Sequence, residues 1–242
     1  MKKISIVLYL LFLPIFPCCL LSQEINSFPY PEIKNPNVEQ LKKETLENLK
    51  TFEGWCIPEK ASAMMDLILA TKPKVCVEIG VFGGSSVYPT LMALKHNQKG
   101  VLYAIDPWKN EEAVKNYESE NIHAVWWGTV DLQRIFTGFI QNIQKYQVEK
   151  FCKIFRKTSE QAAAQIPKVD ILHIDGNHSE AASVLDVVLY LPKVKVGGFI
   201  WFDDTNWGTT NKAVEILKEK CKLIYQYQDD NDAFALFEKT SL

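Results

Sequence analysis

The 242 residues are 47% apolar and 23% charged, the balance of an ordinary globular protein long enough for one sizeable core. A formal charge of −2 and no run of five Lys or Arg argue against nucleic acid as a partner. One folded domain behind a leader is the simplest organisation.

Lys2 and Lys3 precede an uncharged apolar stretch from Ile4 to Leu21, the pattern of an export signal. Pro14 and Pro17 weaken a continuous helix, and the run is at the short edge of the roughly 20 residues a membrane span requires. Residues 1–22 are therefore read as a signal peptide or membrane anchor, the cleavable signal favoured. Export or membrane anchoring is the expectation, with membrane contact only through this segment; cytoplasmic function stays open. Residues 23–37, with Pro29, Pro31 and Pro36 among polar side chains, read as a linker, and 38–242 as the folded domain. Two of the six cysteines lie in the leader, and Cys56, Cys76, Cys152 and Cys221 show no metal-ligand spacing. Cys76 and Cys152 sit in apolar strand patterns and are expected to be core thiols.

Along the domain, 38–52 places Val38, Leu41, Leu46 and Leu49 on one face of a helix. A second helix over 58–70 admits Pro58 in its first turn and turns Met64, Met65, Leu67 and Ile68 inward. After Pro73, 74–79 is a short β-branched run suited to a strand buried on both faces. Further strands are expected at 101–105, 151–155, 169–174, 198–203, 222–227 and 233–238, with helices near 84–96, 109–118, 129–145, 159–165, 179–190 and 210–219. This alternation implies an α/β fold with a doubly wound, seven-stranded, mostly parallel sheet. Only Asp229-Asp230-Asn231-Asp232 separates the last two strands, so they form a C-terminal antiparallel hairpin.

Ligands of open α/β sheets sit beyond the carboxyl ends of the strands, so strand-end residues are the candidates for chemistry. The first strand ends in Glu78-x-Gly80-x-x-Gly83-Gly84-Ser85, whose glycines permit close backbone approach and a sharp entry into a helix. Phe82 stands where the dinucleotide fingerprint has its second glycine and would crowd a pyrophosphate, which disfavours a nicotinamide oxidoreductase. A nucleotide-like ligand without a pyrophosphate fits better. Asp106, at the end of the second strand, is placed to accept ribose hydroxyls, with Trp108 stacking or packing beside it. Ser159 follows the third strand and either bonds an adenine or caps the next helix, the cap being favoured.

The fourth strand ends in His173-Ile174-Asp175-Gly176-Asn177-His178 and the fifth in Trp201-Phe202-Asp203-Asp204. Adjacent strand ends lie about 5 Å apart, so Asp175 shares a ligand with Asp203 or Asp204 if these strands are neighbours. Such oxygen donors suit Mg²⁺, Mn²⁺ or Ca²⁺, and without a cation their mutual repulsion raises at least one pKa. His178 is placed as a general base or as a hydrogen-bonding group behind one, whereas His173, inside an apolar strand, reads as a satisfied core residue or a hydrogen-bonding group behind the site rather than a catalyst. Trp126, Trp127, Trp201 and Trp207 are candidates for an aromatic wall.

Taken in order, Gly54-Trp55-Cys56-Ile57-Pro58-Glu59-Lys60, the Val77–Ser85 turn, Ile105-Asp106-Pro107-Trp108, Ile174-Asp175-Gly176-Asn177-His178-Ser179 and Gly197-Gly198-Phe199-Ile200-Trp201-Phe202-Asp203-Asp204 resemble the class I S-adenosylmethionine-dependent methyltransferases, within them a small-molecule and sugar O-methyltransferase family. The resemblance spans roughly 38–240. It implies a Rossmann-like methyltransferase fold with S-adenosyl-L-methionine as cofactor. The methionine part would lie on Glu78, Gly80 and the following backbone, and the ribose on Asp106. The resemblance also implies a divalent cation, Mg²⁺ or Mn²⁺, on Asp175, Asp203 and Asp204.

The implied reaction is displacement of the sulfonium methyl by an acceptor oxygen, with Asp175 and His178 as catalytic residues. Some relatives carry an acidic base where this chain has Asn177; neutral Asn cannot take a proton, so that role passes to His178 or to the metal. A small-molecule acceptor, such as a sugar or another hydroxyl compound, and a homo-oligomer are the implied partners. The alternative is an exported S-adenosylmethionine- or nucleoside-binding protein of the same fold, because the donor is made in the cytoplasm while the leader points outward.

Overall fold

The computed structural model describes residues 27–118 and 121–241, so the expected leader lies outside the described residues. Among them no helix is long and apolar enough to cross a membrane. Helix α1 (Pro36–Glu47) starts at a proline, with the Asn35 side chain accepting from the Asn37 amide at 2.9 Å. It stops short of the expected 52, and Leu49–Thr51 is one 3-10 turn. Helix α2 (Pro58–Thr71) is tied to α1 by a buried ion pair, Lys42 Nζ lying 2.9 Å from both Asp66 oxygens.

Seven strands follow: β1 (Val75–Ile79), β2 (Val101–Ile105), β3 (Cys152–Phe155), β4 (Val169–Ile174), β5 (Val194–Asp203), β6 (Cys221–Gln228) and β7 (Ala233–Lys239). Their order is β3-β2-β1-β4-β5-β7-β6, parallel except that β7 runs antiparallel between β5 and β6. The doubly wound sheet and its terminal hairpin are therefore as expected. Cys76, Leu102, Ile171, Trp201 and Leu236 join one core layer, and Val77, Ile105, Leu172, Ile200 and Phe237 the other. This period of two gives the strands two buried faces. On the first face lie α2, α3 (Val87–Asn97) and a later helix that carries Ile135 and Phe139; on the second lie α-helices carrying Val187 and Leu217.

The region between β2 and β3 departs from expectation. Only α4 (Asn110–Ala113) is helical where 109–118 was expected, and Asn116 takes a left-handed φ of +68° that turns the chain away. An unforeseen helix, α5 (Ile122–Thr129), precedes α6 (Leu132–Lys145), which starts at the Asp131 cap rather than at 129. The exposed face of α5 is apolar, with Ile122 at 77% and Val125 at 56% exposure, so no amphipathic period marked it. Helices α7 (Ser159–Ala163), α8 (Glu180–Tyr190) and α9 (Asn211–Lys220) complete the chain close to their expected places.

Ahead of α1, Phe28 stacks on Trp201 at 6.0 Å and Tyr30 meets Phe199 edge-on at 5.6 Å. Trp201 is consequently a core residue, 1% exposed, and not part of an aromatic wall.

Candidate active site

The strand order reverses between β1 and β4, and above the carboxyl ends of the central strands opens a cleft of about 600 Å³. Gly80 has φ +83°, and a Cβ there would lie 2.0 Å from the Asp175 carbonyl oxygen, so only glycine lets the end of β1 pass the end of β4. Phe82, at φ +49°, places its ring against Trp55 (5.1 Å, stacked), Trp127 (5.5 Å) and Trp126 (6.1 Å).

Asp106 holds this turn. Its Oδ2 accepts from the Val81 and Phe82 amides at 3.0 Å each, and its Oδ1 accepts from Trp108 N at 2.7 Å. Burial pushes the Asp106 pKa up, against the pull of those three amides.

Of the sequence-derived candidates, Gly80, Phe82, Ser85, Asp106, Ser159, Asp175, His178, Asp203 and Asp204 line the cleft. Glu78, Gly83, Gly84 and Trp108 stand behind its wall. Glu78 is 1% exposed, takes the Ser86 hydroxyl on one oxygen and faces His173 Nδ1 at 3.3 Å with the other, so it braces the turn from beneath. Gly83 passes the Glu53 carbonyl and Gly84 the Phe139 ring, at distances that leave no room for a Cβ. Trp108 is buried against Phe136 and Phe139, and its indole N–H donates to the Phe82 carbonyl. The cap of α7 is Thr158, not Ser159: Thr158 Oγ1 accepts from Gln161 N while Gln161 Oε1 accepts from Thr158 N. That Thr-x-x-Gln box is visible in the sequence.

Two clusters of ionisable groups form where β4 and β5 end. Register places Glu78 beside His173 and His173 beside Trp201, and Asp203, two residues further along β5, projects to the same face as Trp201. Lys60, in the first turn of α2, reaches this inner cluster, its Nζ against Asp203 Oδ2 and 3.1 Å from His173 Nε2. Lys60 is 5% exposed. Burial, the largest single influence, would lower its pKa, but Asp203, Asp175 and Cys56 together raise it, so the ammonium persists. Burial likewise opposes ionisation of Asp203, yet Lys60 and His173 hold its carboxyl well below the usual range. The sequence reading gave Lys60 no role; the available signal was a lysine on the same helix face as Met64 and Leu67.

In the outer cluster, His178 Nε2 lies 3.1 Å from Asp204 Oδ2 and 3.6 Å from Asp175 Oδ1, all three open to the cleft. Burial pushes Asp204 up to about 7 and Asp175 well above the carboxylate range, Asp203 adding to both, and pushes His178 down to about 4. An imidazole that weak is a poor general base at neutral pH, but a neutral ring is ready to ligate. Asn177 is engaged elsewhere: its amide donates to the Ala113 and Lys115 carbonyls at 3.0 and 2.9 Å and accepts from Ser179 N.

The expected metal set Asp175, Asp203 and Asp204 is thus divided. His173, Asp175 and Asp203 offer ligand atoms within 4.8 Å of one another, and so do Asp175, His178 and Asp204. The first group already has the Lys60 ammonium. The second offers two carboxylates and a neutral imidazole without a protein cation, a donor set that fits Mn²⁺ or Mg²⁺. Trp207 adjoins this group, 5.2 Å from the His178 ring.

A sequence model of the family described as Methyltransferase domain matches residues 77–205, more than half of the chain, from the β1 turn to the end of β5. The chain belongs to this family. Its fold is that of the class I S-adenosylmethionine-dependent methyltransferases. The SAH-bound Podospora anserina methyltransferase PaMTH1 superposes with a TM-score of 0.59 at 13% identity, over 83% of this chain and 88% of that one. The O-methyltransferase TomG from Streptomyces achromogenes, involved in tomaymycin synthesis and solved with SAM, gives 0.57 at 13% identity over 88% and 92%. The Bacillus cereus O-methyltransferase in complex with SAH gives 0.54 at 14% over 86% and 92%. Uncharacterized protein y4gI of Sinorhizobium fredii (strain NBRC 101917 / NGR234) is 27% identical over 172 residues, 68% of this methyltransferase-family chain but 17% of that protein's own length.

Proposed function

We propose that the chain transfers a methyl group from S-adenosylmethionine to a hydroxyl oxygen of a small-molecule acceptor, with a divalent cation assisting at Asp175, His178 and Asp204. The observation that supports this most is the Gly80–Ser85 turn, pinned by Asp106 at the switch point of a methyltransferase-family sheet. Proteins of like fold were solved with SAM or SAH, and the same donor is proposed here. A cleft of about 600 Å³ is large enough for such a donor with a small acceptor beside it.

Its lining acids, among them Asp106, Asp175 and Asp204, suit a cationic sulfonium better than an anion. The rings of Trp55, Phe82, Trp126 and Trp127, with centroids 4.8 to 6.2 Å apart, form an apolar rim that would help exclude water, once donor and acceptor are bound, from a displacement in which charge is annihilated. When bound, the cation would lower the pKa of the acceptor hydroxyl. The remaining work of the residues is positioning.

The test is calorimetric titration of the purified full chain with S-adenosylmethionine, then a methyl-transfer screen of sugars, phenols and small acids with and without Mg²⁺. Micromolar donor binding and Mg²⁺-stimulated transfer to a hydroxyl compound are expected. Absence of donor binding by folded protein refutes the reading, and donor binding without transfer to any acceptor supports an exported binding protein instead.

A further inference from the structure

The same acids could hold a cation in two ways, and one residue decides between them. Lys60 Nζ is in contact with Asp203 Oδ2 and 3.1 Å from His173 Nε2, in a setting where its side chain is 6% exposed. A buried ammonium at that position repels a second cation in the same low-dielectric space, and its hydrogen bond occupies an oxygen that ligation would use. Asp203 Oδ1 is the rival: it is buried and lacks a hydrogen-bond donor among the described residues. Asp204 has no lysine or arginine in ion-pair contact among the described residues, Lys60 acting on it only from a distance. Its backbone takes a left-handed φ of +50°, and its carboxylate lies beside His178 rather than on the Lys60 cluster.

We propose that Lys60 is a positioning residue that keeps Asp203 out of the metal site, so that a divalent cation entering this cleft is ligated by Asp175, Asp204 and the Nε2 of His178. The ligand set then contains one nitrogen, where the sequence resemblance implies three carboxylates. Lys60 supplies the inner acids with a fixed charge, and the entering ion supplies the outer ones. This inference rests on the metal part of the proposed function alone, and it is read by metal binding rather than by turnover.

The experiment is Mn²⁺ titration of the full chain followed by electron paramagnetic resonance, with spin-echo detection of ¹⁴N coupling. Wild-type protein should show ¹⁴N coupling to bound Mn²⁺. His178→Ala should lose that coupling and weaken Mn²⁺ affinity at least tenfold. Lys60→Met, by releasing Asp203, should bind Mn²⁺ severalfold more tightly, while Lys60→Arg keeps the wild-type affinity.

A wild-type spectrum without ¹⁴N coupling, or coupling that survives in His178→Ala, overturns the assignment whether or not the Lys60 variants fold. Unchanged or weaker affinity in folded Lys60→Met overturns the role of Lys60. A chain that binds S-adenosylmethionine but no Mn²⁺ at millimolar concentration overturns the metal site while leaving the methyl-transfer reading standing.

Discussion

The inner and outer clusters use the same chemistry at neighbouring strand ends, yet they behave oppositely. Inside, Glu78, Ser86, His173, Asp203 and Lys60 are buried and contact one another, and the fold supplies the positive charge. Outside, Asp175, His178 and Asp204 face a cleft, and burial there pushes Asp204 up to about 7 and His178 down to about 4. A buried acid with a built-in counter-ion holds architecture together, whereas an acid left without one is poised to take a proton or a cation.

The sharpest way to break this contrast is to remove the inner counter-ion. Lys60→Met leaves Asp203 buried without its ammonium partner, beside His173 alone, and chemical denaturation should show a loss of about 3–5 kcal/mol. Asp204→Asn, in the outer cluster, should change stability by less than about 1 kcal/mol under the same measurement. Equal losses would mean that both clusters are structural.

Asp186 extends the comparison to an acid in the wall of the cleft that has no cation beside it among the described residues. It is 4% exposed, and burial pushes its pKa up to about 7, against a hydrogen bond from Ser159. The folded state therefore holds a proton that the unfolded chain releases near pH 4, and stability falls as pH rises from about 4 to about 7. Asp186→Asn should stabilise the protein at pH 8 by on the order of 2 kcal/mol and leave it nearly unchanged at pH 4, read from melts at the two pH values. Asp203 has the opposite sign: its depressed pKa contributes stability above about pH 4 that is lost on acidification.

Smaller effects test the cleft's other walls. Thr158→Ala removes the α7 cap and should cost about 1 kcal/mol. Trp55 is 63% exposed, so Trp55→Ala should alter stability by no more than about 0.5 kcal/mol while lowering S-adenosylmethionine or acceptor affinity several-fold by calorimetry. Unchanged affinity for both would remove the aromatic rim from the site.

Most strands were legible to within a residue, because runs such as Val75–Ile79 and Val169–Ile174 are short, apolar and bounded by turn signals, but β5 starts at Val194, ahead of the expected 198. The turn at Gly80 was legible too, since glycine beyond a strand end has few other uses. Helix α5 was not, because its exposed Ile122 and Val125 break the amphipathic period of a helix on a core.

Residue chemistry by itself determined the sheet class, the terminal hairpin, the Gly80 turn and the roster of acids at the strand ends, since each follows from local period and turn preference. Only the tertiary structure decided which groups those acids meet. Lys60 and Asp203 are 143 residues apart, and Glu78 meets His173 only because β1 lies beside β4. A counter-ion brought from that distance leaves no local trace, and it gives Asp203 a buried partner that Asp175 and Asp204 do not contact.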